Sequence, residues 1–560
     1  MKAFILSCVT VLFYSVIATG QSKSLTKLQS QVQGAIEKGH PASVFIANYD
    51  PQTKRPSSGR FSGVVIDGEG RILTAAHACS PEKYYQVTFP DGKQYVARGL
   101  GSISRLDVAI MKITEAGKWP YAEMGWSSSL KVNEPVVSIA YPGSFIPQRE
   151  VIRLGYVAQL DAQRGRRFRS TCLMEPGDSG GPVFDLYGRV VGLHSSIDNS
   201  LENNYEIPVD FYRKYWTALQ KPVAYKDLPS EDVISADPLL AGKADIGDMK
   251  LIAEGIPKLE TKMEAAAFKI ISGDTLSGKT ILGTLISLDG IKSKDDILGK
   301  SYLLSKNSMV AADPKVDLGK GRLISAKIVH RDLQSDLVLL ELGVKLKKGI
   351  KIGKIPTDTL TFKDLGALLI SPQPDNEGEW SGVSTQRFDL KGMYSAGYLG
   401  AGVEIKDARL VLSMVAPNSP ASLAKLEVGG QIVSVNGLSL GDPESFVKAV
   451  QKNQPDDILK LVVMKSDKVD TLAIKLGKRP MIASNHIAEK FTDGKSERRD
   501  GFANAFVHDA KLKPTECGGP VFDIYGKFMG INMARYSRTS SIAVTVAEIR
   551  KFIEGCDVEN

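Results

Sequence analysis

Short apolar runs separated by turn residues dominate residues 42–220. Segments such as Val108-Ala-Ile-Met recur at short intervals, and pairs such as Asp67-Gly68 and Asp91-Gly92 lie between them. Regularly spaced short strands with Gly and Asp at the turns are typical of a β-barrel or a β-sandwich. One helical stretch is predicted from Val209 to Leu219 at the end of this block.

A second block repeats the first. The ten residues from Gly180, Gly-Gly-Pro-Val-Phe-Asp-Leu-Tyr-Gly-Arg, recur from Gly518 with eight identical positions. Upstream, the segment that starts at Asp107 resembles the one that starts at Asp336. The spacing between these marks is roughly 109 residues longer in the second copy, so we expect a domain inserted there.

The insertion has its own signature. It contains Gly397-Tyr-Leu-Gly400, then a helical stretch from Pro443 to Lys452 and a strand-like run that starts at Leu459. These features resemble a PDZ domain of the bacterial type over about 80 residues. The resemblance implies a groove that adds a peptide as a strand and takes its C-terminal carboxylate. The residues expected at this groove are Tyr398, Leu399, Gly400, Ala401 and Val403.

Composition narrows the possible functions. Of the 560 residues, 43% are apolar and 24% are charged, which is ordinary for globular proteins. A net charge of +8 is dilute over this length, so no nucleic-acid partner is expected. Residues 221–262 carry several prolines among charged residues and predict a linker with a short helix near Asp248–Glu254.

The first twenty residues differ from the rest. Met1-Lys2 gives a basic start, the chain is mostly apolar to Ile17, and Ala18-Thr-Gly20 supplies small residues. This pattern predicts a secretory signal cleaved after Gly20, with an uncleaved anchor as the alternative. No later apolar run is long enough to span a membrane. We therefore expect a secreted or periplasmic protein.

Of the five cysteines, Cys8 lies in the predicted signal peptide, and the other four could form disulfides after export. Cys79–Cys172 and Cys517–Cys556 are possible pairs, which the sequence alone does not establish. No C-x-x-C spacing is present, so neither a metal nor a redox cofactor is expected.

Three motifs in the first copy carry chemistry. Thr74-Ala-Ala-His77 is followed by Asp107 and then by Gly177-Asp-Ser179-Gly-Gly-Pro. A serine hydroxyl is a weak nucleophile that needs a nearby base, and histidine has a suitable pKa. A buried carboxylate fixes the imidazole tautomer, and glycines beside the serine allow backbone N–H groups to converge on an oxyanion.

The order His, Asp, Ser on an all-β chain resembles trypsin-like serine proteases. The resemblance implies that His77 is the base, Asp107 orients it and Ser179 is the nucleophile, with the N–H groups of Gly177 and Ser179 as the oxyanion hole. Together with the PDZ signature, it resembles the HtrA (Deg) family, which usually has Asn at position 178. No Ile-Val-Gly-Gly N-terminus precedes the domain, so Asp178 needs another partner.

Substrate preference rests on two positions implied by the resemblance. Leu173, six residues before the nucleophile, would form the floor of the specificity pocket and disfavours Arg or Lys. His194 would lie on the pocket wall, where a histidine can meet an acidic side chain. The alternative is a structural histidine. The resulting hypothesis is cleavage after Glu or Asp.

The second copy is predicted to be degenerate. Asp336 matches Asp107, but Ser308 occupies the position of the base and Cys517 that of the nucleophile. We expect no activity there. The alternative is a cysteine peptidase that uses His508 or His330.

The predicted fold is mainly β, with two trypsin-like double β-barrel domains and a PDZ domain inserted in the degenerate second one. The predicted function is a serine endopeptidase that acts on proteins or peptides, and the alternative is a non-catalytic peptide-binding chaperone. The predicted divisions are a signal peptide (1–20), an N-terminal segment (21–41), the first protease domain (42–220), a linker (221–262), the first part of the degenerate domain (263–390), the PDZ domain (391–478) and the second part of the degenerate domain (479–556).

Overall fold

The computed structural model describes residues 24–240, 249–273, 279–291, 300–347, 349–357, 360–375, 377–465, 468–480 and 485–556. The predicted signal peptide lies outside these residues. Among the residues described, no helix is both long and apolar enough to cross a bilayer.

The first copy consists of two β-structures that are antiparallel except for the parallel pairing of β13 with β5. The first has the strand order β13-β5-β4-β1-β2-β3-β6, with β5 also paired to β6, and the second is a closed barrel in the order β10-β11-β12-β9-β8-β7. The strands are β1 Ser43–Asp50, β2 Arg55–Val65, β3 Arg71–Ala75, β4 Tyr84–Thr88, β5 Gln94–Ile103, β6 Val108–Ile113, β7 Pro135–Ala140, β8 Val151–Ala162, β9 Arg167–Ser170, β10 Pro182–Phe184, β11 Val190–Ile197, β12 Asn204–Pro208 and β13 Ala224–Tyr225.

The second copy repeats this plan. Its first sheet has the order β14-β17-β18-β19-β16-β15-β20, closed by an additional β14–β15 pairing, and its second has the order β22-β21-β31-β32-β33-β30-β23. The strands are β14 Ala267–Ser272, β15 Lys279–Ser287, β16 Ser301–Lys306, β17 Lys315–Asp317, β18 Leu323–Asp332, β19 Leu337–Leu342, β20 Ile350–Lys351, β21 Leu368–Ser371, β22 Glu379–Gly382, β23 Phe388–Leu390, β30 Phe502–His508, β31 Pro520–Asp523, β32 Phe528–Arg535 and β33 Ser541–Thr545.

The inserted domain lies between β23 and β30. In the first copy one long strand, β8, pairs with both β7 and β9 and closes the barrel. Its counterpart is divided into β22 and β23, and the chain leaves for the insertion after β23. The inserted strands are β24 Ala401–Lys406, β25 Arg409–Val415, β26 Gln431–Val435, β27 Leu438–Ser439, β28 Ile458–Lys465 and β29 Lys468–Lys475.

Few helices are present. The N-terminal helix α1 covers residues 24–39, and its apolar side, which includes Leu28 and Val32, is buried. It reaches the second copy, where the Gln29 side chain accepts a hydrogen bond from the Leu368 N–H at 3.0 Å. The other helices are α2 Asp210–Lys214, α3 Trp216–Leu219, α4 Lys250–Met263, α5 Pro420–Leu423, α6 Pro443–Gln451 and α7 Val546–Glu554.

The predicted mainly-β fold, with two double barrels and an inserted domain, is confirmed. Two details differ from expectation. The predicted short helix near Asp248–Glu254 extends to Met263, and the predicted helix Val209 to Leu219 is divided at Tyr215.

The two disulfides considered from the sequence do not form, and the four sulfurs remain thiols. Cys79 packs in the core that holds Tyr85, whereas Cys172 packs in the closed barrel beside Val136 and Val157. Cys517 and Cys556 likewise belong to different clusters. The pairings fail because the cysteines of each pair lie in separate cores.

Candidate active site

The structure brings the three predicted catalytic side chains together at the junction of the first copy's two barrels. His77 follows β3, Asp107 lies in the turn before β6, and Ser179 precedes β10. His77 Nε2 is 2.9 Å from Ser179 Oγ, and His77 Nδ1 is 3.0 Å from Asp107 Oδ1. The order of contacts, carboxylate to imidazole to hydroxyl, is the one that acyl transfer by a serine requires.

Asp107 is held firmly. Its φ of +62° is the left-handed conformation, which aspartate tolerates better than most residues. The backbone N–H of His77 donates to its Oδ1 at 2.9 Å, and Ser195 Oγ donates to its Oδ2 at 2.6 Å. The Arg167 guanidinium donates to Ser195 Oγ and lies 3.8 Å from Asp107 Oδ2. The carboxylate therefore has little freedom to rotate.

Burial and hydrogen bonding have opposite effects on the pKa values of Asp107 and His77. Burial alone would raise the pKa of Asp107, but hydrogen bonds from His77 and Ser195 outweigh it and hold this pKa below its ordinary value. The hydrogen bond to Asp107 raises the pKa of His77 despite the burial of the imidazole. A base with a raised pKa is better able to take the proton of Ser179.

The oxyanion loop, which we define as residues 173–178, turns sharply before Ser179. Gly177 has a φ of +102°, and a Cβ there would lie 2.5 Å from the backbone N of Gly143. The Pro176 carbonyl accepts a hydrogen bond from the Gly143 N–H at 2.7 Å, and the Gly177 carbonyl accepts one from Ser62 Oγ at 2.9 Å. Within the part of the chain that the structure describes, the N–H groups of Gly177 and Ser179 have no protein acceptor, so both are available as donors.

Asp178 finds its partner within the first copy. Its carboxylate forms a fully buried ion pair with Arg153 of β8, at 3.1 Å. It also accepts a hydrogen bond from the Glu175 N–H at 2.8 Å, which closes the loop on itself. Arg153 therefore supplies the cation that a new N-terminus would supply in an enzyme activated by cleavage.

The two predicted specificity residues lie in buried positions. His194 is fully buried on β11, with Nε2 2.6 Å from Ser138 Oγ and Nδ1 2.8 Å from Glu206 Oε2. Both ring nitrogens are occupied inside the barrel, so the geometry favours the structural alternative over contact with a substrate. Leu173 is also buried and lines a cleft, shared with Tyr156 and other residues, that contains none of the three catalytic candidates.

The second copy keeps the geometry of the orienting carboxylate but not the base. Asp336 has a φ of +61°, like its counterpart Asp107. Ser308 takes the place of the imidazole: its N–H donates to Asp336 Oδ1 at 2.7 Å and its Oγ to Oδ2 at 2.9 Å. A serine at this position cannot take a proton at neutral pH.

Cys517 lies where the nucleophile would be and is fully buried. Burial is the largest cause of its raised thiol pKa, which disfavours the thiolate. Its polar neighbours include Ser496 Oγ at 3.8 Å and the Lys513 carbonyl at 3.9 Å. Among the described contacts, neither His508 nor His330 reaches the Cys517 thiol. His508 is hydrogen-bonded to Ser381, and His330 packs against Phe552. The geometry gives the cysteine-peptidase alternative no support.

The predicted peptide groove is a free sheet edge. β24 is the first strand of the sheet β24-β25-β26-β28-β29, and among the described strands it pairs with β25 alone. Before it, Tyr398 pairs with Gly477, and Leu399 is buried in the core of the inserted domain. Gly400 has a φ of +77°, and a Cβ there would lie 2.2 Å from Ser419 Cβ. Ala401 and Val403 lie on β24 itself, partly buried against the same core.

Comparisons with known proteins agree with this arrangement. The description of a trypsin-like peptidase domain matches residues 61–193, which contain all three catalytic candidates, and that of a PDZ domain matches residues 397–476. The chain therefore contains a trypsin-like peptidase domain and a PDZ domain, and it is similar to serine proteases of the DegP and HtrA type. One relative is similar to this chain over most of its length, and two others are similar over shorter stretches.

A DegP-like periplasmic serine endoprotease of Pseudomonas savastanoi pv. phaseolicola is 23% identical over 486 residues, which are 82% of this chain and 88% of that protein. A DegP-like periplasmic serine endoprotease of Bartonella henselae is 33% identical over 147 residues, 24% of this chain and 27% of that protein. The serine protease HTRA1 of Xenopus laevis is 30% identical over 198 residues, 33% of this chain and 42% of that protein.

Several residues of the site were not found from the sequence. They are Arg153, Arg167 and Ser195. Ser195 carried a signal, since it follows His194 on the strand that the resemblance assigns to the pocket wall. The two arginines had none, because isolated arginines are common on protein surfaces.

Proposed function

We propose that this peptidase hydrolyses peptide bonds in proteins through Ser179, His77 and Asp107. The observation that carries the proposal is the continuous contact from Asp107 through His77 to Ser179 Oγ, beside two available backbone N–H donors. This arrangement provides a nucleophile, its base and a place for the developing negative charge.

The reaction proceeds in two halves. His77 Nε2 takes the proton of Ser179 Oγ as that oxygen attacks the scissile carbonyl, and the N–H groups of Gly177 and Ser179 stabilise the oxyanion. The protonated imidazole, stabilised by Asp107, then gives its proton to the leaving amine. Water, activated by the same histidine, hydrolyses the acyl-enzyme and restores Ser179.

Location and substrates follow from the relatives. Two of them are named periplasmic serine endoproteases, which supports a periplasmic or secreted location for this chain. We propose that its substrates are proteins and that the free edge of β24 binds extended or C-terminal peptide segments. A purely non-catalytic chaperone is not favoured, because the side chains needed for catalysis are present and aligned.

Fluorophosphonate labelling tests the proposed chemistry. The reagent phosphonylates a serine only when the base and the oxyanion donors are in place. We expect one adduct on Ser179 in the folded protein, located by peptide mapping, and none in His77→Ala. Equal labelling of Ser179 in wild type and His77→Ala, or labelling only of other residues, would contradict the triad.

Peptide binding at the inserted domain is tested by Gly400→Ala in a Ser179→Ala background, which prevents cleavage of the probe. The added Cβ would clash with Ser419 and displace the loop before β24. We expect a fluorescent peptide with an apolar C-terminal residue and a free carboxylate to bind about tenfold more weakly or worse, a loss of about 1.4 kcal/mol.

The matched control is Gly437→Ala. Gly437 also has a positive φ, of +82°, but no atom lies within 4 Å of a Cβ there. It should bind the peptide like the parent protein. If both variants bind alike, or if amidation of the peptide's C-terminus has no effect, the carboxylate-binding groove is in the wrong place.

A further inference from the structure

One turn of the second copy is buried against the first copy's active site. The turn Tyr536–Ser540 connects β32 to β33, and Arg538, Thr539 and Ser540 are fully buried. A polar hairpin turn normally faces solvent. Here it inserts between segments of the first copy, so its contacts there are specific.

Arg538 joins two segments of the first copy. Its Nε donates to the carbonyl of Met174, within the oxyanion loop, at 3.2 Å. Its Nη2 donates to the carbonyl of Ser200 at 2.8 Å and lies 3.4 Å from Asn204 Oδ1. Asn204 Oδ1 in turn accepts a hydrogen bond from the Met174 N–H at 3.3 Å. The guanidinium therefore holds Met174, near the start of the oxyanion loop. It binds the Met174 carbonyl directly and reaches the Met174 N–H through Asn204.

Thr539 contacts the next residue of that loop. Its hydroxyl donates to Glu175 Oε2 at 3.2 Å and lies 3.4 Å from Arg153 Nη2. The same Nη2 forms the buried ion pair with Asp178. A single hydroxyl of the second copy thus contacts the Glu175 carboxylate within the loop and the Arg153 guanidinium that pairs with Asp178 at the loop's end.

Tyr536 holds the segment on which the loop rests. Its hydroxyl donates to the Ser144 carbonyl at 2.6 Å, and its ring stacks on Phe145 with centroids 4.8 Å apart. The neighbouring Gly143 N–H is the group that binds the Pro176 carbonyl. Since the Pro176 carbonyl and the Gly177 N–H belong to one peptide plane, holding the carbonyl sets the direction of the N–H.

We propose that the turn Tyr536–Ser540 is a positioning element of the first copy's active site. Through Tyr536, Arg538 and Thr539 it holds the oxyanion loop in the conformation that presents the Gly177 N–H to the substrate. The inference rests on the proposed serine-peptidase function. This positioning gives the second copy a structural role that requires no catalytic site within it. Such a role matters because oxyanion donors must be held within about 0.5 Å of their productive positions.

The test compares Thr539→Val with Thr284→Val. Both substitutions remove one hydroxyl from a fully buried threonine of the second copy, but the Thr284 hydroxyl donates to Gly518, inside that copy. We expect Thr539→Val to lower kcat and the rate of fluorophosphonate labelling of Ser179 by about 10- to 100-fold, with KM changed much less. Thr284→Val should retain both rates within about twofold, and Thr539→Ser should restore most of the loss.

The outcomes separate this inference from the function on which it rests. If the wild type shows no His77-dependent adduct, the proposed function fails. If the wild type labels normally and Thr539→Val labels no more slowly than Thr284→Val at equal thermal stability, the positioning role is wrong. Tyr536→Phe, which removes only the bond to Ser144, provides a second test should Thr539→Val not fold. A normal labelling rate in folded Tyr536→Phe would also count against the role.

Discussion

Replacing Ser179 by alanine is expected to lower kcat for a fluorogenic peptide by about 10⁵- to 10⁶-fold. The substitution removes the oxygen that forms the acyl-enzyme in the proposed mechanism, while the oxyanion donors and the binding surfaces remain. Residual turnover should therefore exceed the uncatalysed rate by the contribution of those donors alone. Ser179 is only partly buried, so the thermal melting temperature should change little. Initial rates and a melting curve on the same preparation provide the measurement.

Cys517→Ser is the matched control for this experiment. It alters the equivalent position of the second copy, where a buried thiol has no histidine partner among the described contacts. We expect kcat within about twofold of wild type. Retained activity in Ser179→Ala that disappears in Cys517→Ser would instead assign the chemistry to the second copy.

Asp107→Asn is expected to lower kcat/KM by about 10⁴-fold at neutral pH. The amide can present its oxygen either to the His77 N–H groups or to Ser195 Oγ, but it no longer accepts from both sides at once. The wrong imidazole tautomer, with its proton on Nε2, then faces Ser179 and cannot act as a base. Measurement of kcat/KM against pH distinguishes this cause from unfolding.

The pH profile of Asp107→Asn should also move. The hydrogen bond to Asp107 is the largest cause of the raised pKa of His77, and burial and the charge of Arg167 both lower it. Without the carboxylate only the lowering causes remain. The acidic limb of kcat/KM, where the imidazole becomes protonated and inactive, should therefore shift to lower pH than in wild type. A variant within tenfold of wild type, with an unshifted limb, would mean that Asp107 does not orient the base.

Much of the site was predictable because its motifs are contiguous. A strand followed by Thr-Ala-Ala-His, and a glycine-rich turn before Ser179, each specify local backbone geometry within a few residues. The positive φ of Gly177 and Gly400 belongs to the same class, since only a few neighbouring atoms decide it. The degenerate triad was predicted by matching the motifs of the second copy to those of the first, and in the structure Ser308 does contact Asp336.

The questions that the sequence left open concerned distant residues. The two possible disulfides depended on which core each cysteine enters, and short segments carry no information on that. His194 lies on β11, and whether its ring faces a substrate or the barrel interior is decided by Ser138 and Glu206 on neighbouring strands. Burial of a polar side chain depends on partners from across a sheet.

The sequence by itself determined the internal repeat, the inserted domain and the identity of the three catalytic candidates. Only the tertiary structure decided what holds them in place. Arg153 meets Asp178 across the barrel, and Thr539 meets Glu175 from 364 positions away in the chain. Local patterns encode strands and turns because neighbouring residues set backbone conformation, whereas contacts such as these arise only when whole barrels pack and bury their polar groups together.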